Sequence, residues 1–442
     1  MYIESLFVSN FRCFEEARVS FEYAGRHTES KAPRLPNVNL ILGDNGTGKS
    51  AILTAITLSV LGRVIQSVGY RPFYLVRRTD REGDTLPGHQ ENATVQTGLR
   101  LHPQDAVEAP EKWGGGTTGS LPGLAIISRL ADTETFIASS REDPGEWRPL
   151  YEDASPGFFL AAYGASRRVA SSREFDPAQR EKARAPRYQR VAGLFEEAVT
   201  LTPVDVWAYE LRQKDRLEQG IALLNALLPL PVRVSAERLE MGGHLITPSE
   251  VVFRVRGTRL PFPALSDGYR GFVGWVVDLL YQMSQVTPPG RALADLRGVV
   301  IVDELDLLLH PDWQRTVIGT IAATFPRLQF FFTSHSPIIA GTLEAANIIV
   351  TEVDEDTGRV RISKGRERVY GLSADQVLSS RYFGLASSRA PGAERSLRDL
   401  AGRALEDPDA AEEYLRLLAD GGDGTAEVPP AEPPRNGKRQ AR

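Results

Sequence analysis

Cys13 is the only cysteine among 442 residues, so the chain holds no internal disulfide, and a reducing, cytoplasmic setting is expected. No stretch approaches the roughly 20 apolar residues that span a bilayer, so no membrane is expected as a partner. The opening MYIESLFVSNFRCF is too short and too polar for a secretory signal. Nor is there an excess of basic residues. Lys and Arg number 52 against 57 Asp and Glu, a formal net charge of -5. No overall field therefore attracts nucleic acid, and any contact with DNA must come from a local patch. Internal repeats and long heptad runs are missing too, so any coiled coil is short.

What remains is a globular composition, 42% hydrophobic and 25% charged, enough for a real core. The length suits two or three domains, or one large α/β domain with insertions. Alternation of apolar and polar residues predicts a strand pair at 3–9 and 17–23. Short apolar runs predict buried strands at 38–42, 158–163, 298–302 and 328–333. Further strands are expected near 93–102, 124–130, 231–236 and 250–256, with two more at 346–364 joined by a DEDTG turn. Helical spacing follows Gly43 and recurs at 188–228, 272–283 and 312–325. The stretch 80–123, with GGGTTG at 114–119, has the composition of long loops between strands. The end, from about 421, has the composition of a disordered tail.

Four motifs carry chemistry. Gly43-Asp44-Asn45-Gly46-Thr47-Gly48-Lys49-Ser50 fits G-x-x-x-x-G-K-[ST], between a predicted strand and a predicted helix, and together with Ala51 it is expected to bind ATP. Its glycines let backbone N–H groups turn inward around phosphate oxygens, and the following helix adds its positive end. Lys49 is expected on the β- and γ-phosphates and the Ser50 hydroxyl on Mg²⁺. GVVIVDELDLLLHP at 298–311 is an apolar strand that delivers Asp303 to its C-terminal end, where α/β sheets bind ligands. Asp303 is expected to hold Mg²⁺ through water, and Glu304 to orient the attacking water. The third motif, Leu265-Ser266-Asp267-Gly268-Tyr269-Arg270, runs straight into a helix, so Ser266 and Gly268 stand where an anion meets a helix N-terminus. The fourth is a strand ending in Thr333-Ser334-His335-Ser336-Pro337, where His335 can donate to a γ-phosphate and sense its loss.

In this order the motifs resemble the ABC-type ATPase heads of the RecF, SMC and OLD families. LSDGY resembles their signature motif, His335 their switch histidine, and ESLFVSNFRCF the strand that opens such heads. The resemblance covers most of residues 1–350. It implies an α/β P-loop fold of two lobes, with ATP and Mg²⁺ as cofactors. It also implies a homodimer in which Ser266, Asp267 and Gly268 of one protomer close in trans on the nucleotide of the other, with higher oligomers open. AYGASRR at 162–168 falls where such heads carry a glutamine-bearing loop, but no glutamine is present, and Arg167 is the candidate there for a phosphate or relay contact. Among such heads, LSDGYRG, the compact size and VYGLSADQVLSSRYFGL at 369–385 most resemble the ATPase subunits of bacterial anti-phage systems, such as the PtuA proteins of Septu.

The expected organisation is an N-terminal ATPase lobe at 1–166, a basic helical insertion at 167–230 and a C-terminal ATPase lobe at 231–368. A helical extension at 369–420 and the tail at 421–442 follow. Too little chain follows the ATPase motifs for a fused Toprim nuclease, and Glu352, Asp354, Glu355 and Asp356 sit in a predicted turn. Too little chain intervenes between the halves for an SMC coiled coil. A nuclease, if involved, is therefore a separate chain, and the resemblance to anti-phage ATPases implies a regulatory ATPase that controls a separate nuclease or toxin effector, an HNH-type nuclease or similar. Two alternatives stay open: a RecF-like DNA-maintenance ATPase and a nucleotide-gated module with little turnover. For the DNA alternative, the basic residues at 167–190 (Arg167, Arg168, Arg173, Arg180, Lys182, Arg184, Arg187 and Arg190) are a candidate contact, although a solvated, salt-bridged helix face is the favoured reading of them.

Overall fold

The fold is that of a computed structural model. It describes residues 1–27, 31–62, 64, 65, 68–78, 90–100, 120–137, 158–169, 186–237, 240, 241, 244, 245, 250–385, 387–405 and 407–419. The GGGTTG stretch, Arg173, Arg180, Lys182, Arg184 and the tail lie outside the described residues. The chain divides into two compact units, residues 1–384 and 385–442.

Two sheets build the first unit. One is antiparallel and contains β1 (Tyr2–Phe11), β2 (Phe14–Ser20), β4 (Gln90–Arg100), β5 (Ser120–Leu130) and β6 (Thr133–Ile137), in the order β2-β1-β4-β5-β6. The other contains β3 (Val38–Gly43), β7 (Leu160–Tyr163), β11 (Gly298–Val302), β12 (Leu328–Thr333), β13 (Ile348–Val353) and β14 (Val360–Lys364), in the order β14-β13-β3-β12-β11-β7. Every pairing in it is parallel except β13 with the edge strand β14. Parallel strands buried on both faces need unbroken apolar runs, and VNLIL, GVVIV and LQFFFT supply them. A smaller three-stranded sheet joins β8 (Val232–Glu237), β9 (Glu250–Val255) and β10 (Thr258–Leu260).

The period-2 side-chain alternation divides the core in two. Ile41, Val299, Ile301 and Phe331 point to one face of the parallel sheet, while Leu40, Val300, Phe330 and Phe332 point to the other. On the first face lies α1 (Lys49–Leu61), packed between the two sheets. Every one of its residues except Ser50 is buried, which explains why apolar residues run all round the helix. Thr54, Thr57 and Ser59 are tolerated inside because their hydroxyls donate to carbonyls of the preceding turn.

On the second face lie α2 (Val204–Gln213), α3 (Leu217–Leu227), α4 (Asp267–Val286) and α5 (Val317–Thr324). The single helical run expected at 188–228 is broken. Pro203, which lacks an N–H, stands at the N-cap of α2, and Asp215 takes a left-handed φ of 54° between α2 and α3. Both helices belong to the head core, since Trp207, Leu211 and Leu224 are fully buried with Trp275 of α4. The boundary expected at 368/369 also moves. Val369, Val377 and Tyr382 are buried in the head core, and Gly371 donates its amide to the Gly341 carbonyl at 2.9 Å, so the unit runs to Gly384. In the second unit, α8 (Pro391–Arg403) and α9 (Pro408–Ala419) pack against each other; α6 (Pro337–Ala340) and α7 (Ala374–Leu378) belong to the first. No described helix is long and apolar enough to cross a membrane.

Candidate functional site

The C-terminal ends of β3, β11 and β12 lie side by side in parallel register, and the motif residues leave the sheet there. Arg12, Cys13, Asn45, Gly46, Gly48, Lys49, Ser50, Ala51, Asp303, Glu304 and His335 line one cleft of about 330 Å³. Most of the expected nucleotide constellation is thus gathered by the sheet from segments nearly three hundred residues apart.

The cradle is built by chain geometry. Gly48 has a φ of 90°, and a Cβ there would collide with Cys13 Sγ and the Phe14 ring. Only glycine lets the loop turn beneath the β1–β2 hairpin and enter α1. The opening N–H groups of α1 have no partner within the helix and carry its positive end into the cleft. Thr47 faces inward, donating to the Asp44 carbonyl at 2.8 Å and meeting Thr351 Oγ1 of β13 at 2.7 Å. Lys49 Nζ donates to the carbonyls of Gly43 and Asp44, both at 2.9 Å. Burial lowers the Lys49 pKa, opposed by Asp303, Asp44, Glu304 and Asp306. A cation held among carbonyls and carboxylates is poised for an anion that can replace them.

Asp303 is the centre of the acidic side. Its amide donates to the Tyr163 carbonyl at 2.8 Å, which ties it to β7. Ser50 Oγ donates to its Oδ2 at 2.8 Å, and Thr333 Oγ1 donates to its Oδ1. The Thr333 hydroxyl in turn accepts the Glu304 amide at 2.7 Å. Glu304 itself has a left-handed φ of 49°, so its side chain is turned out of the strand direction into the cleft. The hydroxyl of Ser50 and the carboxylate of Asp303 are hard oxygen donors, which suit Mg²⁺.

Arg167 has a position that the sequence did not disclose. Its Nη2 donates to the carbonyls of Asp303 at 2.6 Å and Glu304 at 2.5 Å, and its Nε donates to Gly164 at 3.0 Å. Burial pushes its pKa down to about 10, against the opposing pull of Asp303, Glu304 and Asp306. Arg167 therefore fixes the backbone that carries the acidic pair. Of the other described members of the basic stretch, Arg187 and Arg190 are buried, with guanidinium carbons 4.4 Å from the Phe158 ring centre and 5.7 Å from that of Phe159. They offer no surface to DNA.

His335 is exposed at the cleft, and its loop is pinned on both sides. The His335 amide lies 3.4 Å from Asp306 Oδ2, and Ser336 Oγ donates to Gln314 at 2.6 Å while accepting the Ile339 amide at 3.2 Å. Ser266, Asp267 and Gly268 do not line this cleft. Ser266 and Asp267 are exposed at the start of α4, and the Ser266 side chain makes no capping bond to that helix. The motif reading missed Arg12, Cys13 and Thr333. Thr333 ends its strand in parallel register beyond Val302–Phe332 and so comes opposite Asp303, a relation that only the sheet creates.

The family described as "AAA domain, putative AbiEii toxin, Type IV TA system" matches residues 158–340, and one described as "AAA domain" matches residues 5–72. The chain is 22% identical over 393 residues to a Septu protein PtuA of Bacillus mycoides (strain KBAB4), covering 87% of this chain and 45% of that protein. It is 29% identical over 124 residues to the retron Vc95 probable ATPase of Vibrio cholerae serotype O1 biovar El Tor, covering 28% and 24% respectively. The chain spans less than half the length of these relatives. The SMC head domain from Thermotoga maritima is similar at a TM-score of 0.43 and 14% identity, covering 83% of this chain and 100% of that one. In its loop-and-strand chemistry and in its relatives alike, the chain is similar to the ABC-type P-loop ATPases, and among them to Septu PtuA and the retron ATPases.

Proposed function

We propose that the chain hydrolyses ATP in a site completed by a second copy, and that the resulting opening and closing controls a separate effector protein. The observation that carries this reading is the 2.8 Å contact between Ser50 and Asp303 beside Lys49 in one cleft. Lys49 and the loop amides bind the β- and γ-phosphates. Ser50 and Asp303 would hold Mg²⁺, which supplies charge neutralisation on the phosphate oxygens. Glu304 accepts a proton from the attacking water as its oxygen bonds to the γ-phosphorus. The bond from that phosphorus to the bridging oxygen of ADP breaks, and ADP and phosphate result. His335 donates to the γ-phosphate oxygens and loses that contact when phosphate leaves.

The trans arrangement is supported by the exposure of Ser266 and Asp267 at the head of a 20-residue helix, outside the cleft. Leu307 and Leu308, just after the acidic pair, are 44% and 62% exposed, an apolar pair that a second head would cover. ATP then stabilises the closed dimer because its γ-phosphate touches both protomers only in that state. Likeness to Septu PtuA and a retron ATPase supports an effector such as an HNH-type nuclease in anti-phage defence. The experiment is to purify a Glu304→Gln variant with ATP and Mg²⁺. It should retain ATP and run as a dimer, whereas native hydrolysis by this variant would remove Glu304 from the role of proton acceptor.

A further inference from the structure

We propose that Phe73 and Tyr74 form a stacking platform for an unpaired nucleobase, and that the chain binds single-stranded nucleic acid there. The platform lies outside the ATP cleft, and the proposal does not depend on the hydrolytic reading.

Phe73 is 71% exposed and Tyr74 53% exposed, an uncommon fate for two adjacent aromatic rings. Their ring centres are 4.4 Å apart and nearly perpendicular. The Arg78 guanidinium carbon sits 3.8 Å over the Tyr74 ring, so one aromatic face is already covered by a cation while the Phe73 ring stays open. Solvent does not hold such an arrangement in place, but the chain does. Tyr74 is locked at a φ of 53°, a conformation that a bulky residue adopts only under constraint. The next two amides, of Leu75 and Val76, donate to the buried Glu134 carboxylate at 2.8 and 3.3 Å. The Leu75 carbonyl accepts the Arg12 amide at 2.8 Å, and the Arg77 amide donates to Asn10 at 2.9 Å, which stitches the segment to the end of β1. Behind it, Tyr70 packs on Phe195 with ring centres 5.0 Å apart. The two rings are therefore presented outward by a rigid base, and strain is maintained to keep them there.

The charge around the rings selects the ligand. Arg71 is exposed beside Phe73, Arg77 and Arg78 follow, and Arg359 approaches the same edge through Glu15, 2.9 Å away. Among the described residues, Arg77 and Arg359 share Glu15, and Arg78 meets Asp132 at 3.7 Å and the buried Glu134 at 3.9 Å, while Arg71 has no ion pair there. Four arginines thus face three carboxylates among the described residues of this edge, a local positive excess beside the two rings in a chain with a net charge of -5. Arginines that follow a phosphate backbone and rings that take bases are the two components of sequence-tolerant single-strand binding.

The test is fluorescence anisotropy of the full chain with a labelled oligothymidylate of about 20 nucleotides, longer than the roughly 4–16 nucleotides that one such site covers. The parent should bind it, and a Phe73→Ala/Tyr74→Ala double variant should bind at least about tenfold more weakly. Phe73→Trp should hold the affinity, because it keeps a ring. Arg71→Gln should flatten the slope of log affinity against log salt by about 0.7. Three results overturn the proposal: no binding by the parent, equal binding by the double variant, or tighter binding of a duplex of the same length. ATP turnover without oligonucleotide, together with the thermal midpoint, should match the parent in the double variant, so a binding loss is not a folding loss. Failure of ATP hydrolysis in the parent would leave the anisotropy result standing by itself.

Discussion

Thr333 donates its hydroxyl hydrogen to the carboxylate of Asp303 from the neighbouring parallel strand. The same oxygen accepts the Glu304 amide, so one hydroxyl orients both the expected metal ligand and the expected proton acceptor. Thr333→Val keeps the shape but removes donor and acceptor together. It should lower ATP turnover by about 10- to 100-fold, the usual cost of removing a partner behind a metal ligand. Thr333→Ser should restore most of the rate. Steady-state phosphate release measures both.

Arg167 holds the carbonyls of Asp303 and Glu304 with one nitrogen and Gly164 with another. A lysine cannot reproduce that planar fork. Arg167→Lys should therefore lower kcat with little change in ATP affinity, a split that separate turnover and nucleotide-binding titrations would resolve. Equal loss in both would make Arg167 a phosphate contact instead.

Burial lowers the pKa of Lys49, so the free protein loses this charge at a lower pH than an ordinary lysine would. For a base, a lowered folded pKa means that the charged form is penalised by folding; that penalty is present at neutral pH and relieved as pH rises through the folded value. Phosphate binding needs the charged form. ATP affinity should consequently fall as pH rises through the lowered pKa, and Lys49→Arg should abolish that fall. Calorimetric titration across the alkaline range would show it.

Gly268 opens α4 so close to Leu308 that an added Cβ would collide with the Leu308 carbonyl. This joins the signature segment to the exposed loop after Glu304. Gly268→Ala should leave ATP binding by a single protomer intact and eliminate the ATP-dependent dimer, as read by light scattering.

The sequence disclosed groups whose role depends on local spacing. Gly43 to Ser50 and the strand before Asp303 could be located because a turn, a helix start and an apolar run are each local. Groups that act across strands were hidden. Thr333 meets Asp303 only through the sheet register, and Arg167 reaches its carbonyls only because β7 lies beside β11. Arg187 and Arg190 misled for the same reason: a run of arginines signals a charged surface, but these two are buried against Phe158 and Phe159. Apolar spacing at 188–228 runs on across Pro203 and Asp215, where the backbone turns, so the pattern predicts one helix where the chain forms several.

The central claim is that a neighbour completes each nucleotide site, and mixing two inactive proteins tests it. Lys49→Ala removes the phosphate grip, and Ser266→Arg blocks the segment offered in trans. Each alone should hydrolyse almost no ATP. In an equal mixture about half the dimers pair one of each, and each such dimer regains one intact site, so turnover should return to about a quarter of the parental rate. Turnover in the mixture no higher than in either protein alone, with both folded, would contradict the account.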